Sequence, residues 1–499
     1  MAWAVCRAAK ISHLDSLIRN VLSCIGMEKL NSLLMNDSEM PLFLDYYELT
    51  SGQANFDHGR NNKITEVYYF RKIPENLGGY MVATGLEQVI SFIKDFKLSK
   101  EEAEWLKESS KGALTDDFLD YLQNFKFNGT VNAVPEGTVV FPNEPILTVT
   151  GNSIDVPLFE TYILSVINFQ TMVATKAARI QYASNGKAFL DFGARRAHGR
   201  DAAILSSRAS YIGGAAGTAL VSAAMKLGIP YSGTMPHKFV QERESELESF
   251  REYAESFPND AVFLIDTYDT LKGAQNACIV GNELRRRGYD LKGVRIDGGD
   301  ILQLSRQVRR ILDDNGFSNT KIIASSDLDE YQIDYFVRNN APIDMYGVGT
   351  RLDTAANYNS ISKKGGVSAL GGVYKLVEEE ENGTFIPKIK ISSSDKTTLP
   401  FNKQIYRRFK NDFMLEDIID RPSSKEYKDY QQILVPVIKD GKVVYDFPSL
   451  EETKEYAKRQ LSSLQERYRR LEEFESFPVK IGKDILDAKN RIIQEKLSF

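Results

Sequence analysis

The fold is decided by residues 188–240, AFLDFGARRAHGRDAAILSSRASYIGGAAGTALVSAAMKLGIPYSGTMPHKFV. The apolar run 188–192 predicts a buried strand, and Arg195 follows soon after its end. A second short strand is predicted at 228–232, and His237 comes shortly after it. This order of elements is typical of parallel α/β enzymes, which place reactive groups at the strand ends. The order is a strand, a charged turn, a helix, a second strand and a turn with a histidine.

The alternation of predicted strands and helices continues as far as residue 377. Short apolar runs alternate with segments whose apolar spacing favours helices, such as 270–287, 301–315 and 327–339. This alternation predicts an α/β fold, either a parallel barrel or an open doubly wound sheet. The seven predicted strands are 189–192, 229–232, 262–266, 293–297, 322–325, 345–348 and 372–376.

The flanking segments predict further units around this α/β region, which we place at 186–377. Residues 41–185 have the pattern of a mixed α+β domain that ends in a long apolar helix at 156–182. Residues 378–499 begin with an acidic run and then hold a predicted β pair and a charged helix. The chain is therefore expected to contain two or more domains, as its length also suggests.

Residues 1–40 are expected to be a poorly ordered extension. The first 26 residues carry more basic than acidic side chains, with apolar residues between them, and this pattern also fits an organelle-targeting peptide. An upstream extension, with the functional start at Met27 or Met40, is the favoured interpretation.

The composition excludes several classes of protein. A net charge of −5 on 499 residues argues against a general nucleic-acid binder. The sequence has no apolar run of the roughly 18 to 20 residues that a membrane helix needs. Its 3 cysteines have neither zinc-ligand spacing nor the density of a disulfide framework, so we expect a reducing, cytoplasmic setting.

Two arginines stand at predicted strand ends or inside a strand. Arg295 interrupts an otherwise apolar run, where an unpaired charge would be costly. One interpretation gives it a carboxylate partner, such as Asp297 or Asp266. The other is an anionic ligand shared with Arg195, because guanidinium groups bind carboxylates and phosphates through two parallel hydrogen bonds.

Glycines and acids follow the later strands. The turn GVGT at 347–350 suits a phosphate, which backbone N–H groups at such turns bind. Asp297 and Asp300 could bind ribose hydroxyls or an Mg²⁺ carried by a diphosphate, and Asp300 could equally cap a helix starting at Ile301. Judged by local sequence alone, His237 is first interpreted as a structural histidine.

Seven stretches in order resemble the nicotinate phosphoribosyltransferase family. Together they span about residues 41–380, with a weaker match near the C-terminus. They are DYYELT at 45–50, YYFRKIPENLGGYMVATGLEQVISFI at 68–93, FGARRAHG at 192–199, GTMPHKFV at 233–240, VRIDGGD at 294–300, YGVGT at 346–350 and LGGVYKLV at 370–377.

The resemblance implies a type II phosphoribosyltransferase fold, an irregular β/α barrel beside an α+β domain built from N- and C-terminal segments. Residues 378–499 would then pack back on the N-terminal domain. The implied reaction joins nicotinate to phosphoribosyl pyrophosphate and releases diphosphate, within NAD salvage. It would be coupled to ATP hydrolysis, with Mg²⁺ or Mn²⁺ as cofactor, in a homodimer whose active site lies at the subunit interface.

By position in the matching motifs, His237 would be the phosphohistidine that couples ATP. Arg295 and Asp297 would be the other catalytic residues, and Asp300 would contact the metal. The substrate-binding residues would be Tyr47, Phe192, Arg195, Thr234, Arg295, Gly349 and Thr350. Phe192 and Tyr47 would stack on the pyridine ring, Tyr47 from the neighbouring subunit.

Departures from the family pattern leave alternatives open. Pro236 and Lys238 flank the histidine where family members more often have Ala and Ser. A nicotinamide-using relative is the closest alternative, but Ala215 and Ala216 lie where those enzymes carry an acid, which favours nicotinate. A quinolinate-using relative or an inactive binding homologue is less favoured.

Overall fold

The computed structural model describes residues 37–392, 396–422 and 424–497. The targeting peptide considered for residues 1–26, and most of the extension predicted at 1–40, lie outside the described residues. The described chain starts with a 3₁₀ turn at Asp37–Leu42 and enters its first helix at Tyr46.

The N-terminal part combines helices with short antiparallel strands. Two of its helices start at side-chain caps, Ser99 and Thr115. The Ser99 hydroxyl accepts from Glu102 N at 3.1 Å while the Glu102 carboxylate accepts from Ser99 N at 2.7 Å. The elements are α1 (Tyr46–Asp57), β1 (Lys63–Phe70), β2 (Met81–Val82), α2 (Leu86–Asp95), α3 (Lys100–Ser109), α4 (Asp116–Gln123), β3 (Thr130–Ala133), β4 (Val139–Val140), β5 (Leu147–Asn152) and α5 (Glu160–Ala183).

The long helix α5 runs through the centre of the molecule. The apolar segment 156–182 predicts it, and the structure shows a 3₁₀ turn at Val156–Phe159 followed by the helix itself. Most of its residues after Ile163 are buried. It packs on β2 and α2, and also on three helices of the following unit. Its two buried cations, Lys176 and Arg179, pair with the equally buried Glu330, so the helix can lie in the interior.

The middle part alternates parallel strands with helices. Its elements are β6 (Ala188–Asp191), α6 (Arg200–Ile212), α7 (Val221–Leu227), α8 (His237–Gln241), α9 (Glu246–Ser256), β7 (Val262–Leu264), α10 (Thr270–Arg286), β8 (Gly293–Ile296), α11 (Ile301–Asp314), β9 (Lys321–Ala324), α12 (Glu330–Arg338), β10 (Met345–Val348) and α13 (Thr350–Asp353). The five strands pair in the order β6-β10-β9-β8-β7, all parallel. Their carboxyl ends therefore share one edge.

Two parallel bridges, Asp191 to Thr218 and Thr218 to Tyr231, extend this sheet beyond β6. The strand predicted at 228–232 is thus reduced to a single bridge, because Gly228 and Pro230 interrupt the run. The prediction of a mixed α/β fold is confirmed. Among the described residues the ladders form an open series, so the closed barrel stays a prediction.

The last part contributes strands to sheets elsewhere. Its elements are β11 (Tyr358–Asn359), β12 (Lys364–Gly365), β13 (Gly372–Glu381), β14 (Thr384–Pro387), β15 (Gln404–Lys410), β16 (Phe413–Asp420), β17 (Gln431–Gln432), β18 (Val435–Lys439), β19 (Lys442–Val443), α14 (Leu450–Ser463), α15 (Glu466–Arg469), β20 (Val479–Ile481) and α16 (Lys483–Leu497). β15 and β16 form a four-stranded sheet with β17 and β20.

A seven-stranded sheet has the order β14-β13-β1-β5-β3-β18-β19 and joins early strands to late ones. β13 pairs with β1 antiparallel, with Gly372 opposite Phe70. The prediction that 372–376 is a strand of the parallel unit is therefore wrong. Its apolar pattern identifies a strand but not the sheet that holds it, and β13 also runs across the boundary expected after residue 377.

Within the described residues, each helix is too short or too polar to cross a lipid bilayer.

Candidate active site

Four side chains meet at the carboxyl edge of the parallel sheet: Thr234, His237, Arg295 and Asp297. We call them the charged half of the site. Arg295 lies on β8, where its guanidinium donates to the Thr234 hydroxyl, and its Nη2 is 3.5 Å from Asp297 Oδ2. Asp297 follows β8 directly. A carboxylate partner was one of the two interpretations of Arg295, and the structure provides it.

Neighbouring strand ends hold Asp297 in place. Its backbone N–H donates to Asp266 Oδ2 at 2.7 Å, after β7, and the Ser325 hydroxyl, after β9, donates to its Oδ1. Groups after three consecutive strands therefore fix Asp297, Asp266 through the backbone and Ser325 through the carboxylate. Such preorganised groups stabilise developing charge without moving during the reaction.

His237 begins α8 and lies between two partners. Its Nδ1 is 3.1 Å from Thr267 Oγ1, and its Nε2 is 3.5 Å from Asp297 Oδ2. The side chain is 39% exposed, so the protein positions the imidazole while leaving part of it open to solvent. A histidine held at one nitrogen presents the other in a defined direction. The imidazole is therefore arranged for chemistry at Nε2.

Two buried polar atoms, one in the charged half and one next to it, have no hydrogen-bond partner among the described residues: Arg295 Nε and Asp266 Oδ1. Burial raises the pKa of Asp266, although the Asp297 N–H and His237 act in the opposite direction. An unpartnered buried guanidinium N–H is costly, and a ligand oxygen would satisfy it. This observation supports the interpretation of Arg295 as a ligand-binding residue in addition to its ion pair.

The second half of the site consists of Phe192, Gly193, Gly347, Gly349 and Thr350, which we call the glycine half. The Phe192 N–H donates to Val348 O at 2.8 Å, just beyond the β6–β10 ladder. The Phe192 ring lies against Gly347, where an added Cβ would be 2.5 Å from the ring. At Gly349 an added Cβ would be 3.2 Å from Phe192 O. These glycines are required by close approach.

Ser325 joins the two halves. Its hydroxyl binds Asp297, and its Cβ would be 3.3 Å from a Cβ added at Gly347, next to the Phe192 ring. An aromatic face therefore lies beside the charged half. A planar ligand with an anionic group suits this combination, because aromatic faces accept rings and guanidinium accepts anions.

Two predicted site residues, Tyr47 and Arg195, make no hydrogen bond or ion pair with the charged half among the described residues. Tyr47, at the start of α1, donates its hydroxyl to Glu160 Oε2 at 3.0 Å, and its side chain is half exposed. Partial burial, together with the Glu160 carboxylate, raises the Tyr47 pKa, so the phenol remains a donor. Arg195 is exposed in the short turn Ala194–Arg196 after β6.

Asp300 caps α11, where its carboxylate accepts from Gln303 N at 3.1 Å. The helix-cap interpretation of this residue is therefore confirmed, and its contact with a metal stays a prediction. The described residues contain no group of three His, Cys, Asp or Glu side chains placed to hold a metal ion.

Sequence reasoning missed Thr267 and Ser325 as partners of the charged half, and it missed Asp353, a buried residue whose carboxyl lies against Gly193 of the glycine half. Thr267 and Ser325 occupy the strand ends IDTYDT and ASSD, so inspection of every strand end would have found both. Asp353 lies in a short helix after GVGT, and the sequence around it gives no signal of burial.

The fold and site define a class: a parallel α/β protein with a cluster of charged and hydroxyl side chains at the carboxyl edge of its sheet. Sequence profiles then identify the family. The nicotinate phosphoribosyltransferase N-terminal domain matches residues 42–168, the family profile 188–416 and the C-terminal domain 410–489. The chain belongs to the nicotinate phosphoribosyltransferase family, and it is an enzyme. The resemblance drawn from seven stretches is confirmed.

Individual relatives agree with this assignment. Nicotinate phosphoribosyltransferase pncB2 of Mycobacterium tuberculosis is 36% identical over 453 residues, covering 90% of this chain and 93% of its own. The nicotinate phosphoribosyltransferase of Bacillus subtilis is 36% identical over 490 residues, covering 92% and 96%. The structure of human nicotinic acid phosphoribosyltransferase has a TM-score of 0.77 at 24% identity, covering 90% of this chain and 99% of that one, and thus shares the fold.

Proposed function

We propose that this enzyme transfers the phosphoribosyl group of phosphoribosyl pyrophosphate to nicotinate, forming nicotinate mononucleotide and diphosphate. One observation carries the proposal: an arginine with an unsatisfied buried N–H, Arg295, and an aromatic ring, Phe192, lie on either side of Ser325. A ring with a carboxylate is the kind of ligand that this pairing accepts. The names of the curated relatives support the same reaction.

The reaction forms one bond and breaks another at the anomeric carbon. The pyridine nitrogen of nicotinate attacks this carbon while the diphosphate oxygen leaves with the bonding electron pair. Positive charge develops on the ribose in the transition state. The Asp297 carboxylate, held by Ser325 and by the Asp266 contact, would stabilise that charge and bind ribose hydroxyls. Thr234, Gly349, Thr350 and Arg195 would contact the donor or the nicotinate.

A divalent cation, Mg²⁺ or Mn²⁺, would neutralise the leaving diphosphate. Magnesium commonly binds through one or two carboxylates together with substrate phosphates and water. Asp300 fits such a single contact, since its side chain is exposed, three residues after Asp297 in the chain, and uses one oxygen in its helix cap. The residues present are thus compatible with a metal that arrives with the substrate.

His237 would couple ATP hydrolysis to the transfer. Its Nε2 would accept the γ-phosphoryl group of ATP with release of ADP, and water would later release phosphate from the phosphohistidine. Thr267 would keep Nδ1 occupied during this cycle. A phosphoryl group at Nε2 would place negative charge beside Asp297 and Arg295, and could thereby favour a conformation that binds substrates tightly. We place the enzyme in NAD salvage and, from its cysteine usage, in the cytoplasm.

The enzyme would act as a homodimer in which Tyr47 enters the partner's site. In its own chain the Tyr47 hydroxyl donates to Glu160 rather than to the charged half. Mixing Tyr47→Ala and Arg295→Ala subunits under exchange conditions, with transfer measured at a low nicotinate concentration where each parent has lost its activity, tests this arrangement. If Tyr47 acts across the interface, hybrid dimers regain one intact site each and the mixture recovers about a quarter of the natural activity. A mixture as inactive as its parents would show that Tyr47 acts within its own chain.

A direct assay tests the reaction. Purified protein receives phosphoribosyl pyrophosphate, Mg²⁺ and ATP with either nicotinate or nicotinamide, and mononucleotide formation is followed. We expect product from nicotinate. Product from nicotinamide alone would contradict the substrate assignment, and no product from either would favour a binding homologue.

The ATP coupling is tested separately with His237→Ala, which should lose the stimulation of the transfer rate by ATP. His58→Ala, at the exposed end of α1, is the matched control and should retain it. A His237→Ala enzyme that is still fully stimulated would remove the phosphohistidine from the mechanism.

A further inference from the structure

Two carboxyl groups meet in the interior beneath the glycine half of the site. Asp191 is the last residue of β6 and Asp353 is the last residue of α13, and their exposures are 1% and 0%. The Asp353 carboxyl lies against Gly193, where an added Cβ would collide with it. The pair therefore sits directly under the backbone that follows Phe192.

The two groups differ in their hydrogen bonds. Asp191 Oδ1 accepts from Gly193 N at 2.9 Å, and its Oδ2 accepts from Ser207 Oγ at 2.8 Å and Thr218 Oγ1 at 2.9 Å. By contrast, neither oxygen of Asp353 has a hydrogen-bond partner of normal geometry among the described residues. Asp191 thus accepts three hydrogen bonds, as a carboxylate requires, whereas Asp353 has only a weak contact with the Ser206 hydroxyl among the described residues.

This difference in hydrogen bonding determines which of the two carboxyl groups is charged. Burial, and next the negative charge of Asp191, raise the pKa of Asp353 far above the ordinary carboxyl value. Two adjacent buried carboxyls cannot both ionise, and the one with fewer donors keeps the proton. The groups that act on Asp353 are Asp191, from β6, and the Ser206 hydroxyl, from α6.

We propose that Asp353 is a positioning residue, which donates a hydrogen bond from its carboxyl group to Asp191 and so holds the two loops of the glycine half together. One loop carries Phe192 and Arg195 after β6, and the other carries Gly349 and Thr350 after β10. These loops would contact the pyridine ring and the phosphoribosyl donor. This role rests on the proposed function, because its benefit is the binding of those substrates.

The link has a defined geometry at both ends. Gly193 N donates to Asp191, and Asp353 N donates to Gly349 O at 3.2 Å. At Gly193 an added Cβ would be 2.7 Å from Gly349 O, so the two loops already touch through backbone. The hydrogen bond from Asp353 to Asp191 would add a second link between the two loops and fix the spacing between Phe192 and Thr350.

Two variants of Asp353 separate positioning from simple packing. Asp353→Leu fills the space but cannot donate, so Asp191 loses a donor and the loops separate. We expect its KM for phosphoribosyl pyrophosphate to rise about tenfold or more, the effect of losing one hydrogen bond to a buried charge, with a smaller change in kcat. Asp353→Asn retains an N–H donor and should recover most of that loss. Equal KM values for the Leu variant and the natural chain would overturn the proposal.

Thermal unfolding tests the hydrogen bond from Asp353 to Asp191 without any assay of activity. In the folded chain Asp353 is protonated, whereas in the unfolded chain it ionises at about pH 3.9. Folding therefore takes up a proton, and above that pH this group's contribution to stability falls as pH rises. Asparagine does not titrate. The Tm of Asp353→Asn minus that of the natural chain should thus be larger at about pH 8 than at about pH 5.

Asp117→Asn, on the exposed surface of α4, is the matched control and should show no such pH trend. A difference in Tm for Asp353→Asn that is the same at both pH values would overturn this hydrogen bond. If Asp353→Leu does not fold, the unfolding measurement on Asp353→Asn still tests the proposal. Absence of transfer activity in the natural chain would refute the proposed function alone, since the unfolding measurement is independent of catalysis.

Discussion

The two halves of the site are built by different physical means. In the charged half, side chains from separate strand ends meet through ion pairs and hydrogen bonds, with Asp297 at the centre and His237 partly exposed. In the glycine half, the contacts are between backbone and ring, and space is reserved by residues without a Cβ. The charged half depends on the functional groups of its side chains, and the glycine half depends on positions that have no side chain. Mutations should therefore fail in opposite ways, by loss of a contact in one half and by added bulk in the other.

The largest effect is expected from removing the central cation of the charged half. Arg295→Ala should lower kcat/KM for the transfer by about 10²- to 10³-fold, because a preorganised donor to a developing or bound anion is lost. Steady-state kinetics with nicotinate measure this. Arg338→Ala, at the exposed end of α12, removes a comparable pair with Asp334 at 2.8 Å and should leave the kinetics near natural values. Similar losses in both variants would point to general destabilisation.

A smaller effect is expected from adding bulk to the glycine half. Gly347→Ala places a methyl group against the Phe192 ring, so the ring must move, and the KM for nicotinate should rise about tenfold with a lowered Tm. In Gly371→Ala the new Cβ meets nothing within 4 Å, which makes it the matched control. An unchanged KM in Gly347→Ala would show that the Phe192 ring does not contact the substrate.

The histidine offers a sharper test of orientation within the charged half. Thr267→Val keeps the shape of the side chain but removes the partner of His237 Nδ1, so ATP stimulation should fall about tenfold while transfer without ATP persists. Thr320→Val, whose hydroxyl donates to Leu291 O at 3.0 Å at the opposite end of the sheet, is the control. Full stimulation in Thr267→Val would assign the orientation of His237 to Asp297 alone.

The smallest effect is expected at Tyr47, which belongs to neither half. Tyr47→Phe removes the hydroxyl bond to Glu160 but keeps the ring, so the KM for nicotinate should change by only about twofold. Tyr47→Ala removes the ring and should have the larger effect. If the two variants behave alike, the hydroxyl rather than the ring is the important group.

The sequence predicted the charged half better than the glycine half. Arg295 in an apolar strand and acids after strand ends are unusual at those positions, so residue type alone marks them. His237 gained its role through the family resemblance, and the structure adds its partners Thr267 and Asp297. The steric need for glycine at 347 depends on which ring faces it across the sheet, and no local pattern carries that information.

Strand pairing between distant segments explains the errors in the predicted fold. The segment 372–376 has the pattern of a strand, but its partner is β1, far away in sequence. The bridge at Tyr231 replaces a predicted strand because Pro230 and the glycines around it limit the ladder. Asp353 gave no signal, since its burial depends on the loop after β6 lying above it.

The pairing of β1 with β13 also affects how the chain is made. Ile64 is opposite Glu379, so one edge of β1 stays without its partner until roughly 300 further residues have left the ribosome. At about 5 to 20 residues per second, that interval lasts on the order of 15 to 60 s. An exposed strand edge of this kind invites association with other chains. We expect nascent chains that end before β13 to depend on chaperones, and release of the complete chain to end that dependence.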